Sequence, residues 1–78
     1  MNLADAIAVR IEELMRQHKV TQYKLSQLSG VSQSTISDIR LKKNKSVNLT
    51  VIHELADGLG LGLYEFFTSP LFKRENIE

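Results

Sequence analysis

Between Thr21 and Arg40 the chain reads TQYKLSQLSGVSQSTISDIR, and the placing of apolar and small residues in that stretch leaves few folds open. Thr21 is a good N-cap for a short helix carrying Leu25 and Leu28. Gly30 then stops the run, because glycine alone enters the left-handed backbone region cheaply. Ser32 caps a second run, in which Ile36 and Ile39 point inward. About three residues around Gly30 connect the two, so the helices must cross at a steep angle. Ser26 is small where they would touch, and Val31 supplies an apolar residue just after the turn. The pattern is that of a helix-turn-helix.

The flanking segments carry the same helical period. Leu3, Ile7, Ile11, Leu14 and Met15 recur at spacings of three and four behind Asn2, a cap with Asp5 in the first turn. That predicts a first helix ending near His18. Asn48 caps a fourth helix whose stripe is Val51, Ile52, Leu55, Ala56 and Leu59. Gly58 weakens its last turn and Gly60 ends it. The segment LYEFF is a short fifth helix, stopped before Pro70. Leu71 and Phe72 dock on the domain or on a second subunit, and the last six residues read as polar fray. No segment alternates with period two for long enough to make a strand.

The expected fold is therefore all-α: one compact five-helix globule over residues 1–70 around roughly fifteen apolar side chains, with a C-terminal tail over 71–78. A chain of 78 residues does not divide into two cores, since so short a chain buries only about 60% of its unfolded surface. With no cysteine, disulfides and thiolate metal sites are excluded. No run reaches the length of a membrane span. Asp5, Arg10 and Glu12 stand where a signal peptide would be apolar, so a cytoplasmic protein is expected.

Net charge is only +1, but it is unevenly spread. From Arg16 to Lys45 seven bases face one acid, Asp38, while elsewhere three bases face eight acids. One side is basic, as a surface that meets a polyanion would be, and a solvated charge run accounts for it equally well by itself. The third helix adds chemistry. At 100° per residue it turns Gln33, Ser34, Ser37, Asp38 and Leu41 away from Ile36 and Ile39. Glutamine can bond an adenine edge through both amide groups, serine can donate or accept, and aspartate can accept from cytosine N4. A merely solvated face would more typically carry Glu and Lys.

The stretch TQYKLSQLSGVSQSTISDI, followed by a basic loop and LTVIHELADGLGLGLYEFF, resembles the Cro and phage-repressor type helix-turn-helix family, also called the xenobiotic response element family. The resemblance covers roughly residues 7–67. It implies a five-helix, lambda-repressor-like DNA-binding domain, working as a homodimer on a palindromic operator of double-stranded DNA. Gln33, Ser34 and Asp38 match the family's base-reading positions, with Ser37 and Thr35 beside them as candidates for base or phosphate contact. Gln22 matches the glutamine that opens the second helix at a DNA phosphate. Lys42, Lys43, Asn44 and Lys45 match the basic loop expected on phosphates.

The chain departs from the family at several places. Many members pair an Arg of the first helix with a Glu late in the third; here those positions hold Met15 and Arg40. Losing both together avoids a stranded charge. Arg40 is expected to turn outward, to a phosphate or to Glu12. Ser29 stands where an apolar residue is common, with Leu28 expected to pack instead. The usual glycine after the third helix is missing, so the helix runs on or Asn44 takes the left-handed turn. Gly62 replaces a capping Ser or Asp.

Catalysis is not expected, because His18 and His53 lie in different helices with no cysteine, carboxylate pair or phosphate loop near them, and no cofactor, metal or small-molecule ligand is implied. The rival reading is a protein-interaction module of the same fold, such as an antitoxin or adapter. It rests on LYEFFTSPLF, whose Tyr64, Phe66, Phe67, Leu71 and Phe72 exceed the needs of a small core, Leu63 and Phe67 being expected to close its base. The basic loop together with Gln22 and Gln33 favours DNA, and a domain with no room for an effector pocket fits repression.

Overall fold

The structure, a computed structural model, describes residues 1–78 and contains helices only. Five α-helices run in order: α1 (Leu3–His18), α2 (Gln22–Ser29), α3 (Gln33–Arg40), α4 (Leu49–Gly58) and α5 (Leu63–Phe67). Two single 3-10 turns, Pro70–Phe72 and Arg74–Asn76, follow. None of the helices is long and apolar enough to cross a membrane.

Polar side chains set the helix starts. Asn2, Thr21, Ser32 and Asn48 each accept a backbone N–H from the first turn that follows, at 2.8, 3.0, 3.2 and 2.7 Å. Each satisfies one of the donors that a helix start leaves unpaired, which is worth about 1 kcal/mol. At Gly62, which has no side chain to do this, the Glu65 carboxylate instead accepts the Gly62 N–H from three residues on. The ends rest on left-handed residues after α1 (Lys19, φ 54°) and α2 (Gly30, φ 76°).

Fifteen residues are buried and all are hydrophobic. Helix α1 packs on α3, α2 on both α3 and α4, and α4 on α5. Ile36, Leu25, Ile52, Leu55 and Phe66 are the largest side chains that are wholly enclosed. Burial in α1 begins at Ala4 and includes Ala6 and Ala8, whereas Leu3 stays 51% exposed.

Several expectations are corrected. Leu28 does not pack in place of Ser29; it is 45% exposed. The position needs no apolar side chain, because the backbone of Gly58 in α4 lies against the backbone of Leu28 and Ser29. Gly58 therefore permits a close helix crossing as well as weakening a turn. In the fifth helix Phe66, not Phe67, fills the base of the core, while Leu63 and Phe67 pack around it half-buried.

The last residues do not fray. Phe72 folds back so that its ring stands 4.9 Å from Phe67 and 6.3 Å from Phe66. The Pro70–Phe72 turn packs on α1, and Leu71 and Phe72 dock on the chain's own domain. Further on, the Met1 amino group donates to the Asn76 carbonyl and the Glu78 N–H donates to the Met1 carbonyl, joining the two chain ends.

Candidate nucleic-acid interface

The turn between α2 and α3 is locked through one residue. Ser26 donates its hydroxyl to the Val31 carbonyl at 2.6 Å, and the Val31 N–H donates to the Ser29 hydroxyl at 3.1 Å. Both backbone groups of Val31 are thus satisfied by serines of α2, while its side chain is buried. The crossing of the two helices is fixed by these bonds and by Ile36 and Leu25 beneath it.

On that frame α3 turns its polar side outward. Gln33 and Ser34 are exposed at its start, and Ser37 and Asp38 are half-exposed one turn later. These four share a face opposite the buried Ile36 and Ile39. Leu41, just past the helix, is 63% exposed. Thr35 sits on another flank: its hydroxyl accepts from Ser32 at 2.9 Å, and it lines a shallow cleft with Asn44, Val47 and Val51.

After α3 the chain turns at Lys42, whose φ of 59° makes it the left-handed residue. Asn44 does not take that role, and α3 does not run on past Arg40. The turn is held by the N–H groups of Lys42 and Lys43, which donate to the carbonyls of Ile39 and Asp38 at 3.0 Å each. Lys42, Lys43, Asn44 and Lys45 are all exposed. The ammonium of Lys43 lies 3.7 Å from the Asp38 carboxylate, which joins a residue expected on phosphate to one expected on a base. Lys43 is mostly in solvent and Asp38 half-exposed, and at such a surface a pair is worth less than about 1 kcal/mol and is easily exchanged for other partners.

Gln22 and Arg40 form the other half of the site. The Arg40 guanidinium grips both carboxylate oxygens of Glu12, at 2.5 and 3.2 Å, and donates a third bond to the Gln22 amide oxygen at 3.0 Å. The amide nitrogen of Gln22 donates to the Gln33 carbonyl at 3.4 Å. Of the two partners expected for Arg40, the chain itself supplies Glu12. Met15 is buried in the core. The ion pair that ties α1 to α3 is therefore present with its polarity reversed, its α1 partner one turn earlier. The link from Arg40 through Gln22 to Gln33 has no local sequence signal, since it joins positions 11 and 18 residues apart.

A short helix pair crossed around a glycine, with the second helix presenting exposed amides and hydroxyls beside three lysines, defines a helix-turn-helix domain. The chain belongs to the Cro/C1-type HTH DNA-binding domain family, whose model matches residues 10–69. No curated protein and no solved structure matches the chain. Family membership makes it a DNA-binding regulatory domain.

Proposed function

We propose that this protein is a sequence-specific regulator of transcription that binds double-stranded DNA as a homodimer, with α3 in the major groove, and acts as a repressor of the promoter it occupies. The observation that carries this is the exposed face of α3, built from Gln33 and Ser34 with Ser37 and Asp38 behind them and flanked by the exposed lysine loop. Those four residues read base edges, Gln33 foremost. Gln22, Thr35, Lys42, Lys43, Asn44 and Lys45 meet phosphates and set the register. Arg40 is tied to Glu12 and stands outside this set.

A two-fold dimer separates its recognition helices by about 34 Å, one turn of DNA, and so reads a palindrome. With DNA as its partner the protein works in the cytoplasm. The rival reading as an antitoxin or adapter loses support from the folding of LYEFFTSPLF, where Tyr64 alone of the five large side chains stays exposed.

The test is selection of sites from a random duplex pool at about 150 mM salt, where non-specific phosphate binding is suppressed. Enrichment of a palindrome with half-sites one turn apart is expected. Folded protein that enriches no sequence would overturn the reading in favour of the interaction module.

A further inference from the structure

We propose that Glu12 is a positioning residue for DNA recognition: it holds Arg40 off the phosphate backbone and, through Arg40, fixes the amide of Gln22. The proposal rests on the DNA-binding reading given above.

Arg40 lies at the end of α3, with only Leu41 between it and Lys42 and Lys43. An unrestrained guanidinium there would add a fourth cation to the surface that meets phosphate. Glu12, from a different helix, takes it instead through both oxygens, and the Arg40 side chain is left only 29% exposed. The pairing lowers the count of cations that DNA can engage. It thereby trims the part of the affinity that is blind to sequence.

The same contact orients Gln22. A guanidinium has five donors and no acceptor, so the end of the Gln22 amide that faces Arg40 must be its oxygen. The nitrogen then points the other way, where one N–H reaches the Gln33 carbonyl. Its second N–H has no partner in the chain and is available to a DNA phosphate beside the start of α3. Glu12 sets Arg40, Arg40 sets the amide, and the amide braces the first turn that carries Gln33. Without Glu12, Arg40 swings to a phosphate and the amide is free to flip. Affinity for any DNA rises and discrimination falls.

The experiment uses the full chain and two duplexes, the selected site and an unrelated sequence, with affinity measured against salt concentration. Glu12→Ala, a change at a half-exposed helix position, is expected to bind the unrelated duplex several-fold more tightly. Its plot of log affinity against log salt should steepen by about one, the signature of one added phosphate contact. Arg40→Gln is expected to keep the wild-type salt slope while losing several-fold in preference for the selected site. A merely structural ion pair would change melting temperature in both variants and move neither slope.

An unchanged slope in folded Glu12→Ala overturns the proposal. So does a slope that falls by about one in Arg40→Gln, since Arg40 would then already touch a phosphate; this second variant decides the matter if the first does not fold. Wild-type protein that prefers no sequence removes the DNA reading and this inference together. Wild-type preference with unmoved slopes removes the inference alone.

Discussion

Gly58 of α4 lies directly against Ser29 of α2: a Cβ on Gly58 would stand 2.9 Å from the Cα and the N of Ser29. Real Cβ atoms do not come that near to backbone, which cannot move aside as a flexible side chain can. By helix propensity alone, Gly58→Ala would stabilise the protein by about 1 kcal/mol. The clash reverses the sign. An overall loss of about 1 kcal/mol is expected, since overpacking costs roughly 1 to 3 kcal/mol against that gain, and the melting temperature should fall by about 5 °C. A thermal melt showing the variant equal to or above wild type would refute the close crossing.

Arg10 is the link between α1 and the end of α5. Its Nε donates to the Phe66 carbonyl at 2.6 Å and its Nη2 to the Glu65 carbonyl at 2.9 Å, and only 11% of the side chain is exposed. At this helix end the Glu65 carbonyl otherwise accepts only the Thr68 N–H, at 3.3 Å, and a cation at a helix C-terminus also suits the polarity of its carbonyls. Arg10→Met keeps most of the stem but removes the donors. The expected cost is about 2 kcal/mol in denaturant unfolding, and a change under about 0.5 kcal/mol would show the contact to be incidental.

Phe72 closes the aromatic cluster with Phe66 and Phe67. Edge-to-face pairs add about 0.5 to 1.5 kcal/mol beyond the area they bury, so Phe72→Ala should cost about 1 to 2 kcal/mol. Because the ring docks on its own domain, that loss should be the same at low and high protein concentration. A loss that vanished on dilution would assign Phe72 to a subunit interface instead.

Gln33 and Lys43 should separate reading from anchoring. Gln33→Ala is expected to cost about 1 to 3 kcal/mol at the selected site and to relax preference at one base pair. Lys43→Ala should weaken all sequences alike and lower the salt slope by about one. Competition binding on single-base variants of the site distinguishes them, and equal, sequence-blind effects from both would remove Gln33 from the reading role.

Much of the fold is legible in the sequence because its signals are local. Asn2, Thr21, Ser32 and Asn48 each bond a donor two or three residues away, and Gly30 needs nothing beyond its own backbone to end α2. The exposed face of α3 follows from the helical period once Ile36 and Ile39 are assigned inward. The tail is not legible, for the opposite reason. Lys73 to Glu78 are polar except for Ile77 and give no helical period, yet Phe72 anchors them and the Met1 backbone pairs with Asn76 and Glu78. That pairing spans nearly the whole chain and leaves no periodic mark.

Local signals in the chain account for the five helices, the turn at Gly30 and the residues that α3 turns to solvent, since each depends on a cap, a spacing of three or four, or one residue's backbone freedom. The packing of the helices is what makes Phe66 rather than Phe67 fill the core, Gly58 a crossing point, Lys42 the left-handed turn, and Arg40 the group that binds Glu12 and Gln22 together. Those outcomes depend on how whole helices lie against one another. A change of one helix turn in the packing would give the same local pattern a different partner.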